Sequence, residues 1–156
     1  MNIFVVNNDP WLAAEDLCDQ HVVKMTLETA QMLSTACWTN DVPAPYKKTH
    51  YNHPCNVWVR ASRDNYVWLI EHGLALSVQY RVRYGKIHKS EAVIKQLAGS
   101  TIMSILPNIG LTKFALAMPD QYKTDDPVQS YRKFYVSDKA KFATWNFCDP
   151  PSWWPR

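Results

Sequence analysis

Apolar residues recur at helical spacing along most of the chain, and short polar or proline-containing stretches interrupt them. The first apolar run, residues 3–6, stops at the turn-forming sequence NNDP and predicts a short extended segment. Asp9 then suits a helix N-cap, and Pro10 suits the first helical position, where a missing N–H costs nothing. A long helix is therefore predicted from about residue 11 to about residue 37.

A polar loop broken by prolines, residues 38–55, separates this helix from a second long one. The second helix is predicted to begin near Pro54 and to end at Gly85. Glycine is a favourable C-terminal cap, and here it follows the basic residues Arg81 and Arg83.

Shorter helices are predicted in the second half of the chain. One covers residues 90–97 and stops at Gly99. Another begins with Asp126 as N-cap and Pro127 at the first position, and the C-terminal tail after it is irregular and aromatic. The pattern predicts a mostly α, compact single domain over residues 1–156, with two long central helices and a short extended N-terminal segment.

Length and composition narrow the class of protein. A chain of 156 residues builds one core and is too short for two ordinary domains. We find no signal-peptide pattern and no apolar run of bilayer-spanning length. We therefore expect a soluble protein without membrane contact, located in the cytoplasm, or in the host cytoplasm if the source is a virus. Four cysteines without a C-x-x-C pair are expected to be reduced, and a net charge of +3 is compatible with nucleic acid.

Four polar residues form one narrow stripe on the first long helix. Each helical residue turns by about 100 degrees, so spacings of three, four and three place them on one face: His21, Lys24, Glu28 and Gln31. The rest of the circumference is largely apolar, which predicts a central helix whose polar stripe lines an internal cleft. A buried carboxylate beside a lysine and an imidazole is an arrangement that adjusts pKa values for catalysis. A satisfied internal ion pair and a one-sided surface helix are the alternatives.

A basic cluster follows in the loop and at the start of the second helix. Its members are Lys47, Lys48, His50, His53, Asn56, Arg60 and Arg63. Cationic groups near a helix N-terminus suit a phosphate, so we predict that this cluster caps the polar stripe and binds substrate phosphate. A solvated loop is the alternative.

Residues that could bind a metal also occur in these stretches. Cys18 and His21, with His50, His53 and Cys55, are residue types that bind zinc, but their spacing matches no standard pattern. We therefore predict neither a metal nor a cofactor.

A third cluster combines basic and aromatic side chains near the C-terminus. Gln129, Arg132 and Lys133 stand beside Tyr131 and Tyr135. Arg132 is predicted to contribute to nucleic-acid binding, while the two tyrosines fit the core equally well. Seven tryptophans and eight tyrosines in the chain serve either base stacking or packing.

The stretch DQHVVKMTLE, residues 19–28, resembles the early helix of the small all-helical pyrimidine-dimer DNA glycosylases of T-even phage type. In that family Asp-Gln-His is followed by a catalytic glutamate, and the match falls on His21 and Glu28. The chain length, the His-bearing loop before a long second helix and the aromatic C-terminus agree in outline. Short phage proteins that carry this glycosylase label are also similar, which points to a viral source.

The resemblance implies roles for particular residues. In the family, the nucleophile is the α-amine of the residue exposed when the initiator Met is removed; it attacks the sugar C1′ and forms a Schiff base, assisted by the glutamate. α-Amino groups have pKa values near ~8, so a useful fraction is neutral at physiological pH. Here Asn2 is larger than Met removal usually tolerates, so the amine would belong to Met1, and Gln31 stands near the position of the family's arginine.

Two classes of function follow. In the first, Glu28 is a general base or an electrostatic stabiliser, His21, Lys24 and the loop residues hold a phosphate, and an extruded base stacks on an aromatic side chain. In the second, the same fold serves a phage base-modifying transferase or a non-catalytic nucleotide-binding protein. We predict the first class: a DNA N-glycosylase, with or without AP-lyase activity, that acts on a modified or damaged pyrimidine. DNA or a nucleotide is then its partner, and the sequence indicates no oligomeric state.

Overall fold

The computed structural model describes residues 1–155. Its α-helices are α1 (Pro10–Asp16), α2 (Asp19–Thr39), α3 (Pro54–Ala61), α4 (Arg63–Tyr84), α5 (Ser90–Ala98), α6 (Ile102–Ile105) and α7 (Pro127–Phe134). A 3-10 turn covers Asp120–Tyr122, and a π-helical turn, Tyr135–Lys139, continues α7. Within residues 1–155 there is no strand, and residues 1–6 form a short non-helical segment before α1. The predicted mostly α fold is confirmed.

The first predicted long helix is interrupted, so its prediction as one element is wrong. Leu17 and Cys18 adopt extended backbone angles, with ψ of 144° and 161°, between α1 and α2. Distant groups satisfy the backbone at this break. Arg83 Nη1 donates to the Leu17 carbonyl oxygen at 2.8 Å, and the Asp19 N–H donates to the Thr144 carbonyl oxygen at 2.9 Å. The break therefore depends on tertiary partners that the local pattern does not contain.

The second predicted long helix is also divided. Ser62, at φ −152° and ψ 148°, leaves the helical region and separates α3 from α4. Its hydroxyl accepts a hydrogen bond from the Asp64 N–H at 3.1 Å and donates to the Gly110 carbonyl oxygen. Ser62 thus caps α4 and ties it to a distant loop, while the predicted end of α4 at Gly85, with φ of 65°, is confirmed.

The predicted helix starts at proline are confirmed. Asp9 accepts hydrogen bonds from two backbone N–H groups of the first turn of α1, which begins at Pro10. Asp126 caps α7 in the same way ahead of Pro127. The side-chain oxygen satisfies N–H groups that have no partner within the helix, and the ring of proline occupies a position that needs none.

Helix α2 lies at the centre of the fold and packs against α3, α4 and α5. Gly73 of α4 faces α2 so closely that a Cβ at this position would lie 2.6 Å from Thr29 Cγ2. The missing side chain therefore allows the two long helices to approach. Residues 3–6 are buried in the same core, where the Phe4 ring contacts Tyr131 and Tyr135. Both tyrosines are core residues, and the N-terminus is held beside the start of α2.

None of the helices within residues 1–155 is both long and apolar enough to span a bilayer. The four cysteines are free, as predicted. Cys18, Cys37 and Cys55 are buried, and Cys148 is exposed.

Candidate active site

A cavity of about 260 Å³ lies between the N-terminal segment, the first half of α2 and the chain that follows α7. It is lined by Met1, Asn2, Phe4, His21, Lys24, Met25, Glu28, Phe134, Lys139 and Phe142. Three residues of the polar stripe and the first residue of the chain therefore meet in one place.

Glu28 is the acidic group of this cavity and is 7% exposed. Its Oε2 accepts a hydrogen bond from the Asn2 backbone N–H at 2.9 Å. Its Oε1 lies 3.6 Å from the Met1 α-amino nitrogen and 3.8 Å from Lys24 Nζ. The carboxylate is thus buried among groups of opposite charge, which offset the cost of removing it from water.

Met1 is held by its side chain, which is 1% exposed. Its Sδ accepts a hydrogen bond from Asn56 Nδ2 at 3.1 Å. Asn56 is itself buried and also donates to the carbonyl oxygens of Thr49 and His50 at 3.1 and 2.9 Å. Because Met1 as a whole is only partly buried, its exposed part is the main chain. The thioether is therefore anchored while the main chain of Met1 lies open beside Glu28.

His21 forms an inner wall of the cavity. Its ring stacks on Phe4 with a centroid distance of 4.4 Å, and its Nδ1 lies 2.7 Å from the Tyr135 hydroxyl oxygen. Burial, followed by the positive charges of Lys139 and Lys24, lowers the pKa of His21 to about 3. The imidazole is therefore neutral at physiological pH and supplies no charge for the phosphate contact that the sequence suggested.

The other two residues of the polar stripe lie apart from each other. Lys24 stands at the mouth of the cavity with its side chain 65% exposed. Gln31 lies outside the cavity, in a separate depression beside Leu27, Tyr46, Lys47 and Thr49. The structure thus brings His21, Lys24 and Glu28 together and leaves Gln31 against the 46–49 loop.

The predicted basic loop lies ahead of α3, and its residues differ in exposure and in the groups that they contact. His53 caps α3, because its Nδ1 accepts a backbone N–H of the first turn at 3.2 Å. Burial and then the charge of the Met1 α-amine lower the pKa of His53. His50 and Lys48 are exposed, and Lys48 Nζ lies 4.5 Å from the centre of the Tyr51 ring.

Two predicted arginines follow the loop and are tied to protein groups outside the cavity. Arg60 Nη1 donates to the Tyr51 carbonyl oxygen at 2.8 Å, and its guanidinium lies over the Tyr51 ring. Arg63 Nη2 donates to Asn108 Oδ1 at 2.8 Å. Each of these contacts uses one of the five N–H donors of a guanidinium.

Arg132 lies in another depression, which it shares with Gln129, Lys133 and Trp153. Its Nε donates to the Val6 carbonyl oxygen at 2.8 Å, and its guanidinium stands 5.4 Å from the Trp153 ring centre. The predicted combination of basic and aromatic groups is present here, with Trp153 in the place expected for the buried tyrosines.

The residues that complete the cavity from the C-terminal side were not predicted from the sequence. Phe134, Lys139 and Phe142 are brought to Glu28 only by tertiary packing, so no local signal marks them. Lys139 Nζ lies 4.5 Å from the Phe134 ring centre and pairs with Asp138 Oδ2 at 2.6 Å. The π-helical turn, Tyr135–Lys139, sets the register of this lysine.

A basic groove of about 470 Å³ was not predicted from the sequence either. It is lined by Leu27, Tyr46, Tyr80, Lys86, Ile87, His88, Lys89 and Ser90. Lys86 and Lys89 are exposed, and Leu27 belongs to the same turn of α2 as Lys24 and Glu28. The groove therefore adjoins the turn of α2 that carries Lys24 and Glu28.

The residues considered for zinc do not assemble. In the part of the chain from Met1 to residue 155, no three histidine, cysteine, aspartate or glutamate side chains converge as a metal site. Cys18 contacts the Tyr135 hydroxyl, whereas Cys55 contacts the Tyr131 hydroxyl.

A helical protein with a buried carboxylate beside its own terminal amine has the groups required for covalent catalysis by an amine. The family model described as pyrimidine dimer DNA glycosylase matches residues 1–91, which is more than half of the chain. The chain therefore belongs to the pyrimidine dimer DNA glycosylase family, and membership supports DNA glycosylase activity with DNA as the substrate. No curated protein and no solved structure matches the chain.

Proposed function

We propose that this protein cleaves the N-glycosidic bond of a modified or damaged pyrimidine in DNA, with the Met1 α-amine as nucleophile and Glu28 as its acidic partner. The observation that carries this proposal is the 3.6 Å separation of the Met1 α-amino nitrogen and Glu28 Oε1 at the cavity. Family membership supports the reaction class.

The reaction begins with the neutral amine. Its nitrogen forms a bond to C1′ of the deoxyribose while the bond from C1′ to the pyrimidine breaks. The electron pair of that bond leaves with the base, which takes up a proton. Glu28 accepts the proton that the amine loses and stabilises the positive charge that develops on the sugar. Opening of the sugar ring, with a proton added to O4′, then gives the Schiff base from which AP-lyase cleavage would proceed.

Exposed cations of the cavity, of the loop before α3 and of the basic groove are proposed to hold DNA phosphates. The simplest set is Lys24, Lys48, His50, Lys86 and Lys89. Arg60, Arg63 and Arg132 have further N–H donors beyond those used on protein oxygens and are assigned to the rim of the same interface. Asn56 is assigned to the support of Met1, because its Nδ2 donates to Met1 Sδ at 3.1 Å, and His53 is assigned to the start of α3, which it caps.

The residues after the matched range are proposed to belong to the same functional unit. Phe134 and Phe142 present rings to the cavity, and Lys139 presents a cation. Aromatic faces suit an extruded base. Residues 1–156 would then act as one glycosylase domain.

Borohydride trapping tests the nucleophile. We expect a duplex that contains a pyrimidine dimer or an abasic site to give a reduced covalent adduct, which peptide mapping places at Met1. The intact mass of the purified protein reports whether Met1 is retained. An adduct at Lys139 or Lys24 would overturn the assignment of the amine. The absence of any adduct, together with tight binding of a free nucleotide, would favour a base-modifying or nucleotide-binding role.

Salt-dependent binding tests the phosphate contacts. A double variant, Lys86→Ala with Lys89→Ala, should reduce the slope of log affinity against log salt by about 2. Lys123→Ala is the matched control, because Lys123 pairs with Asp120 at 2.7 Å and lines neither the cavity nor the groove. Equal slopes in both variants would remove the groove from the interface.

A further inference from the structure

A buried hydrogen-bond network reaches the cavity from the interior and ends at His21. The Tyr135 hydroxyl, which is fully buried, accepts a hydrogen bond from the Cys18 backbone N–H at 3.1 Å. It donates to Cys18 Sγ, also at 3.1 Å. The same hydroxyl oxygen lies 2.7 Å from His21 Nδ1. The hydroxyl thus has three polar neighbours, as many as its one donor and two acceptor positions can serve.

The direction in which this hydroxyl donates its one proton decides which nitrogen of His21 is protonated. A hydroxyl has one proton to donate and two lone pairs to accept with. With this proton donated to Cys18 Sγ, the Tyr135 oxygen accepts from His21, and Nδ1 carries the imidazole proton. In a neutral imidazole the other nitrogen is then a hydrogen-bond acceptor. A hydroxyl that donated to Nδ1 instead would leave the imidazole proton on Nε2.

His21 Nε2 is open to the cavity. Within residues 1–155 it has no hydrogen-bond partner, and it is not one of the buried side-chain atoms that lack one, which are Ser34 Oγ, Asn56 Oδ1 and His72 Nε2. Since the His21 ring lines the cavity, this nitrogen faces the space that a substrate would fill.

We propose that Tyr135 and Cys18 are positioning residues that fix His21 as the Nδ1–H tautomer and so present Nε2 to the cavity as a hydrogen-bond acceptor. An acceptor at this place receives an N–H or O–H from the substrate or from the attacking amine. It disfavours a phosphate oxygen, which is an acceptor as well. The catalytic consequence rests on the proposed glycosylase function, whereas the tautomer is a property of the folded protein alone.

Nitrogen-15 NMR of the imidazole tests the tautomer without any substrate. In the wild-type protein we expect a protonated Nδ1 and an unprotonated Nε2, with the signals assigned by their loss in His21→Gln. In Cys18→Ala the hydroxyl loses its sulfur acceptor and donates to Nδ1 instead, so the proton should move to Nε2. Cys18→Ser restores an acceptor and should restore the wild-type pattern. A wild-type protein protonated at Nε2, or no change in Cys18→Ala, would overturn the proposal.

Tyr131→Phe is the matched control for Tyr135→Phe. Tyr131 is also fully buried and also contacts a cysteine, but its hydroxyl donates to the Ala115 carbonyl oxygen at 2.8 Å, whereas the Tyr135 hydroxyl lies against His21 Nδ1. Tyr131→Phe should leave the His21 signals unchanged, and Tyr135→Phe should give a mixture of tautomers. Identical signals in the two variants would contradict the role of Tyr135.

The rate of borohydride trapping tests whether the tautomer of His21 matters for the reaction. If the acceptor serves catalysis, Cys18→Ala should slow adduct formation by roughly 10²-fold at unchanged DNA affinity, and Cys18→Ser should recover it. A proton moved to Nε2 without any change in rate would overturn the catalytic part of the proposal. No adduct in a wild-type protein that has the Nδ1–H tautomer would instead contradict the proposed function.

Discussion

Two buried glutamates have the same helical spacing to a lysine but differ in the groups that contact their carboxylates. Glu28 of α2 follows Lys24 by four residues, and Glu91 of α5 precedes Lys95 by four. They are 7% and 4% exposed. On the sequence alone, each is an acid with a lysine one helical turn away.

The partners of the two carboxylates separate them. Arg81 Nη2 donates to both oxygens of Glu91 at 2.7 and 2.9 Å, and Lys95 Nζ lies 2.5 Å from Oε1. The charged nitrogens near Glu28 stay at 3.6 and 3.8 Å, and one of them is the α-amine of the chain. A carboxylate whose lone pairs are occupied is a structural anion, whereas one beside a loosely held amine can exchange a proton with it. Spacing along the helix therefore does not distinguish the two roles; the partners do.

The largest effect should come from removing each acid in turn. Glu28→Gln should lower the trapping and turnover rates by about 10³-fold or more, because the amide neither accepts the proton of the amine nor stabilises positive charge. Glu91→Gln should leave both rates near the wild-type value. Single-turnover kinetics on a dimer-containing duplex measure both variants, and affinity for DNA serves as the control, since neither change should abolish binding. Equal loss of rate in the two variants would show that the comparison is wrong.

What the sequence predicted and what it missed follow the same division between local and tertiary causes. Asp9 with Pro10 and Gly85 act within one turn of the chain, so their positions could be predicted. The break at Leu17 could not, because the group that stabilises it belongs to Arg83. The same limit applies to the site: the spacing of His21 and Glu28 was readable, whereas the approach of Lys139 depends on packing across most of the chain.

For the free energy of unfolding, the order of the two variants should be reversed: Glu91→Gln should have the larger effect. Glu91→Gln removes charge-assisted hydrogen bonds to Arg81 and Lys95, and should lower the free energy of unfolding by about 1 kcal/mol. The value is modest because both partner side chains are about half exposed. Glu28→Gln should change it less, or raise it, since an acid at a catalytic site is not placed for stability. Urea denaturation at pH 7 measures both variants, and a larger loss in Glu28→Gln would mean that Glu28 is the structural ion pair.

The pH dependence of stability should report the ion pairs of Glu91 with Arg81 and Lys95. Burial alone would raise the pKa of Glu91, but the hydrogen bonds and charges of Lys95 and Arg81 outweigh it and hold the pKa below 4.5. Because the folded pKa is lower than the unfolded one, this contribution to stability is present above pH 4.5 and is lost as the pH falls through the folded value. The wild-type protein should therefore lose stability more steeply than Glu91→Gln as the solution is made acidic below pH 4.5. Parallel curves from denaturation at several pH values would argue against a tightly paired Glu91.

The smallest effects should come from replacing Lys95 and Lys24. The first replacement should affect stability and the second DNA binding. Lys95→Ala removes a short ion pair on α5 and should cost about 0.5 kcal/mol of stability without altering DNA binding. Lys24→Ala removes a contact of 3.8 Å from a side chain that is 65% exposed, so stability should change by less than about 0.5 kcal/mol. If Lys24 meets a phosphate at the mouth of the cavity, the same variant should reduce the slope of log affinity against log salt by about 1. Urea denaturation and salt-dependent DNA binding, each measured on both variants, test this difference. The reverse pattern, with Lys95 affecting DNA and Lys24 affecting only stability, would place the substrate against α5 instead of α2.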